Sequence, residues 1–160
     1  DITYRGTGCP QGSLSSVSTI SDTRGVMVFN GYNSSIGLNI SPTESRKNCQ
    51  INLYFQYPNG MQYTPVSIGY SGFANLDAGV QGLHKTTYYF SGASDQVSTS
   101  QAFVGPTSGA YSFKEAIDPT GTIIWSPCNS SAGGALNINN QVRVTKDSTS
   151  TGNGVLYDSG

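Results

Sequence analysis

The chain has 160 residues, enough for one domain, and only 11% of them are charged against a usual quarter. A net charge of −1 with no basic stripe argues against a nucleic-acid partner, and no apolar run approaches the ~18 residues of a membrane span. Disorder is argued against by ten Tyr and six Phe, whose apolar area offsets the entropy of ordering the chain.

Between clusters of turn residues the sequence alternates with period two, the signature of half-buried strands. Taken in chain order, strands are predicted at Leu14 to Ile20 and Gly25 to Phe29, then at Gln50 to Tyr57. In the last of these Ile51, Leu53, Phe55 and Tyr57 share one face, and Gln50, Asn52, Tyr54 and Gln56 share the other. Pro58-Asn59-Gly60 has strong turn chemistry, so Met61 to Tyr70 reads as the returning arm of a hairpin, broken at Pro65. Further strands are expected at Gly72 to Leu76, Gly82 to Phe90, Gln96 to Phe103, Tyr111 to Glu115 and Thr122 to Trp125. Ala135 to Thr145 repeats the clear alternation, with Asn137, Asn139, Gln141 and Arg143 on its polar side. After a Ser/Thr/Gly-rich tract, read as mobile, from Asp147 to Gly154, Val155 to Tyr157 forms the last strand. Ser112 to Ile117 has room for a single helical turn, and no segment carries a three-turn helical stripe. About ten short strands with this spacing predict an all-β fold, an antiparallel, jelly-roll-like β-sandwich filling residues 1–160 as one domain.

Cys9, Cys49 and Cys128 permit one bridge in three pairings, of which Cys9–Cys49 is favoured; closing that loop stabilises the fold by roughly 4 kcal/mol in the chain-entropy picture. The leftover thiol is expected to be buried as a small hydrophobe or to pair between chains. No CxxC pair exists and His84 is the sole histidine, so metal-ligand spacing is absent and no cofactor is expected. Asn33-Ser34-Ser35 and Asn129-Ser130-Ser131 are N-glycosylation sequons that fit a secreted chain. Asn39-Ile40-Ser41 also matches, weakened by the Pro42 that follows. The opening at Asp1 without Met is expected of a mature form whose targeting segment has been removed.

Several motifs stand together. Ile2-Thr3-Tyr4-Arg5-Gly6-Thr7-Gly8-Cys9-Pro10-Gln11-Gly12 opens the chain, and Arg46-Lys47-Asn48-Cys49-Gln50 precedes a strand. Tyr88-Tyr89-Phe90-Ser91-Gly92, Gly105-Pro106, Trp125-Ser126-Pro127-Cys128 and Leu136-Asn137-Ile138-Asn139 follow. From about residue 2 to residue 145 the chain resembles the fungal secreted family known as domain of unknown function 4360. The resemblance implies a small, secreted, mostly β fungal protein and no particular reaction. The family often has glycine after the third cysteine; Asn129 stands there in this chain and creates the sequon.

A Ser-His-Asp or Cys-His site would have to use His84, but no G-x-S-x-G elbow accompanies it, so it reads as a solvated or hydrogen-bonded strand residue. A glycosidase needs two carboxyls about 5–9.5 Å apart. Asp77 and Glu115 are the least loop-like acids and are the weak catalytic candidates. A glutamic-type peptidase would use a Gln and a Glu, nominally Gln56 and Glu115, by fold-level analogy alone. Trp125 beside the third cysteine is expected in the core.

The polar strand faces offer more. Asn and Gln present both a donor and an acceptor to sugar hydroxyls, and Tyr stacks on the apolar face of a pyranose. Asn52, Tyr54, Gln56 and Tyr89 are the candidate binding residues, with Lys85 and Thr87 beside Tyr89 on its face. The leading expectation is a non-enzymatic, monomeric, extracellular or wall-associated protein that binds cell-wall polysaccharide or a host surface. A hydrolase acting through carboxyl side chains and an effector binding a host protein are the rivals.

Overall fold

The alternation becomes eleven strands in a computed structural model of the chain, which describes residues 1–21, 23–117, 122–128 and 134–160. In chain order they are β1 (Ile2–Arg5), β2 (Leu14–Ser21), β3 (Arg24–Phe29), β4 (Asn33–Ile36), β5 (Arg46–Leu53), β6 (Ser67–Leu76), β7 (Val80–Phe90), β8 (Gln96–Val104), β9 (Thr107–Ala116), β10 (Leu136–Lys146) and β11 (Gly154–Asp158). Helix among the described residues is confined to a 3-10 turn at Pro42–Ser45.

Strands β1-β5-β10-β7-β8 form a five-stranded sheet and β4-β11-β6-β9 a four-stranded one, with every neighbouring pair antiparallel. The inward residues of the first sheet, among them Ile51, Ile138, Val142, Val144, Val80, Tyr88 and Phe90, pack against Ala74, Leu76 and Leu156 of the second. Gly154 marks how closely the sheets approach, because a Cβ there would sit 2.7 Å from Val80 Cγ1. The hairpin β2–β3 stands apart as a two-stranded ribbon, exposed along nearly all of β2 and anchored by buried Phe29 at its base. Phe29 meets Tyr4 and Tyr32 edge-on.

The disulfide joins Cys9 to Cys49, both fully buried. It ties the loop after β1 to the middle of β5, where Gly8 N also donates to Asn48 O at 2.9 Å.

Several boundaries differ from expectation for identifiable reasons. The strand predicted from Gln50 to Tyr57 begins earlier, at Arg46, and stops at Leu53. Beyond it Tyr54 exchanges hydrogen bonds with Asp1 at the sheet margin, its N–H donating to Asp1 O and its carbonyl accepting from the amino terminus, both at 2.8 Å. The turn at Pro58-Asn59-Gly60 forms, with Met61 N donating to Pro58 O at 3.2 Å, but it does not close a hairpin. Pro65 lacks the N–H a ladder requires, and β6 starts only at Ser67, in the opposite sheet. Gly72 to Leu76 belongs to that same strand. Ser112 to Ala116 is extended, not helical, because the whole of β9 pairs with β6. Thr122 to Trp125 forms no strand; its neighbour Ser126 is clasped by Tyr63 through bonds of 2.9 and 3.0 Å. The tract after Asp147 is tied down, since Asn153 N donates to Asp77 Oδ2 at 2.8 Å.

Two further expectations are reversed in this region. Ser126 takes the buried place in the Trp125-Ser126-Pro127-Cys128 run, which leaves Trp125 half exposed and the Cys128 thiol unpaired and exposed. With the bridge formed elsewhere, Trp125 has no disulfide to pack on.

Burial pushes the phenols of Tyr32, Tyr70, Tyr88 and Tyr111 well above their ordinary value near 10, and that of Tyr63 up to about 12. A pKa raised in the fold gives stability that is complete below about pH 10 and is lost as pH climbs through the folded-state values. In an alkaline titration, part of the tyrosinate absorbance is therefore expected to appear only together with loss of the β-sheet dichroism. Full tyrosinate absorbance reached while the sheets stay intact would contradict this.

Candidate functional site

The outward face of the five-stranded sheet follows from register. Each strand sends alternate residues outward, and antiparallel pairing aligns those residues in rows across the strands. One row runs Thr3, Asn52, Asn137, Tyr89, Gln96; the next runs Arg5, Gln50, Asn139, Thr87, Ser98. A third is Asn48, Gln141, Lys85, Ser100, and a fourth Arg46, Arg143, Leu83, Ala102. The three polar faces that were separate in the sequence become one surface, because β10 lies between β5 and β7.

The amides hold one another in place. Gln50 Nε2 donates to Asn52 Oδ1 at 3.2 Å, Asn52 Nδ2 to Thr3 Oγ1 at 3.1 Å, and Asn139 Nδ2 to Gln50 Oε1 at 2.9 Å. Asn137 Nδ2 is turned toward Ser91 Oγ, at 2.9 Å. Each amide has further donor or acceptor capacity beyond these bonds. Together with Arg5, Gly6, Asn48 and Tyr89, these amides line an open concavity of about 500 Å³.

Of the sequence candidates, Asn52 and Tyr89 line this hollow. Tyr54 and Gln56 do not. They lie exposed beyond the end of β5, where the alternation that grouped them with Asn52 has stopped. Gln50, Asn137 and Asn139 take their place, and their strand parity was the signal for them.

Asp77 and Glu115 are not brought together as a pair. Glu115 pairs with Ile68 near the start of β6, whereas Asp77 follows the end of that strand. Nine residues of extended chain separate these levels, about 30 Å, far beyond the reach of a two-carboxylate mechanism. Asp77 is occupied in holding the Asn153 loop, and Glu115 faces inward with Oε2 buried and without a hydrogen-bond partner among the described residues. Gln56 lies in the coil after β5.

His84 is the hydrogen-bonded strand residue of the two alternatives, not the solvated one. It is 1% exposed, and its Nε2 lies 2.9 Å from Asp158 Oδ2, itself 2% exposed. Asn140 Nδ2 approaches the same carboxylate at 3.3 Å, and Tyr32 donates to Asn140 Oδ1 at 2.9 Å. The rings of Tyr70 and Phe113 enclose the imidazole. This cluster lies between the sheets and pins β11.

Asn33 is half-buried on β4 with Nδ2 donating to Gly31 O at 3.2 Å, and Asn39 is exposed in a left-handed turn, φ 63°. Asn129 lies outside the described residues. No group of three metal-binding side chains occurs among the described residues, and no helix among them is long and apolar enough to cross a membrane.

Two packed antiparallel sheets, the five-stranded one stapled to the loop after β1 by a buried disulfide and lined with amides on its outer face, define the class of the molecule. The chain belongs to the family described as Domain of unknown function (DUF4360), whose model matches residues 1–159. It is 47% identical over 146 residues to an "Uncharacterized secreted protein" of Arthroderma benhamiae. That match covers 90% of this chain but 58% of the relative, so the chain spans a little over half of that protein's length. No solved structure matches it.

Proposed function

We propose that the chain is a secreted, non-enzymatic polysaccharide-binding protein that uses the outer face of the five-stranded sheet. The observation that carries this reading is the register of β5, β10 and β7, which gathers Gln50, Asn52, Asn137 and Asn139 beside Tyr89 in one hollow. Amides there match sugar hydroxyls, which both donate and accept, and the Tyr89 ring supplies a stacking surface. Secretion is supported by the disulfide, which persists in oxidising compartments, and by the secreted relative.

A glycan array probed with the folded protein is expected to retain at least one class of wall polysaccharide. Asn52→Ala and Asn139→Ala are each expected to weaken that binding about tenfold, the effect of losing one good hydrogen bond or two ordinary ones. An array empty across fungal and plant wall polysaccharides would remove the proposal.

A further inference from the structure

The charge on the binding face is one-sided. Six of the chain's eight Lys and Arg residues, Arg5, Arg46, Lys47, Lys85, Arg143 and Lys146, lie on the five strands of this sheet. None of its nine Asp and Glu does. Lys47 is paired with Glu44 at 2.9 Å. Arg5, Arg46, Lys85 and Arg143 are exposed, stand in the outward rows, and have no carboxylate within 4 Å among the described residues.

Arg46 and Arg143 are direct cross-strand neighbours. Like charges in that position repel and destabilise the sheet. Lys85 stands on the diagonal from Arg143 and adds a third positive charge. Beside this cluster, Arg5 enters the amide hollow itself. Asp1 and Asp95, the acids nearest these strands at the other end, sit in loops beside the Asn52–Asn137–Tyr89 row. Glu44, held by Lys47, and Asp147, just after β10, flank the cationic end but form no ion pair with Arg46, Arg143 or Lys85 among the described residues, so the outward face runs from neutral amides to a self-repelling cationic cluster.

We infer that the polysaccharide bound here is acidic. Its anionic groups sit at the Arg46–Arg143–Lys85 end and on Arg5, and its hydroxyls on the amide rows. This inference rests on the polysaccharide reading above and names the chemical class of the ligand. Arginine forks match carboxylates and phosphates alike, so uronate and phosphate-bearing glycans share the required chemistry.

The test is titration calorimetry of the folded protein with polygalacturonate, its fully methyl-esterified form, a phosphorylated mannan, a neutral β-glucan and a single-stranded DNA oligomer, at low and at high salt. Polygalacturonate or the phosphomannan, whichever carries the favoured anion, is expected to bind at least tenfold more tightly than the two neutral polymers. Salt that shortens the Debye length should weaken that binding. Arg143→Gln and Lys85→Gln are expected to abolish the preference for the anionic polymer. Arg143→Gln should also raise the melting temperature slightly by relieving the cross-strand repulsion, which separates lost binding from lost folding. Equal, salt-independent binding of acidic and neutral polymers would overturn the acidic class while leaving the polysaccharide reading in place. DNA bound as tightly as the acidic glycans would overturn it as mere polyanion attraction. Absence of binding to every polysaccharide would remove both.

Discussion

Asp158→Ala is expected to lower the free energy of unfolding by about 2–6 kcal/mol, because His84 and Asn140, both buried, lose their shared acceptor and each buried polar group left unpaired costs about 1–3 kcal/mol. The carboxylate accepts from His84 and Asn140 through Oδ2 and from Gly160 N through Oδ1, at 2.9, 3.3 and 3.1 Å. Truncation leaves the buried side chains of His84 and Asn140 without that acceptor. Asp158→Asn keeps the shape and one acceptor oxygen and should fall between the wild type and alanine. Replacing both His84 and Asp158 by leucine removes the imidazole together with its acceptor and leaves Asn140 Nδ2 as the unpaired side-chain donor, so the double variant should be less destabilised than the sum of its singles. Urea unfolding followed by circular dichroism measures these five variants. A loss below about 1 kcal/mol for Asp158→Ala would mean that the carboxylate contributes little to holding β11.

Cutting the Cys9–Cys49 bridge by Cys49→Ala should also lower stability by about 4 kcal/mol, because the bridge closes a loop with a sequence separation of 40. For a chain of this length that corresponds to a fall in melting temperature of roughly 8–16 °C. The loop contains the β2–β3 ribbon and β4, which bury little surface of their own. Thiol labelling offers a check without mutation. In native protein one thiol, exposed Cys128, should react quickly, and all three only after reduction and denaturation. Two or three labels on the native protein would contradict the bridge.

Much of the strand content was legible because burial on one face imposes period two. In β7, Val80, Gly82, His84, Thr86, Tyr88 and Phe90 share a parity, and all of them face inward. That parity also places His84 inside, which decides between the solvated and the hydrogen-bonded strand residue in favour of the second. Its partner, Asp158, is 74 residues away and left no local trace. Alternation also misled where it outlasted pairing. Tyr54 and Gln56 continue the pattern of β5 but have left the ladder. The amide faces were readable one at a time; their union was not, since strand adjacency depends on long-range pairing. Trp125 and Cys128 were misplaced for the same reason, as the Tyr63 clasp that orients their segment comes from elsewhere in the chain.

The last two strands occupy interior positions, β10 between β5 and β7 and β11 between β4 and β6. On a chain leaving the ribosome, the five-stranded sheet cannot close until Leu136–Lys146 has emerged, nor the four-stranded one until Gly154–Asp158 has. Until then the earlier strands wait with unmatched edges. Such high contact order implies slow folding that waits for β10 and β11, and a need for shielding in the secretory pathway during that interval.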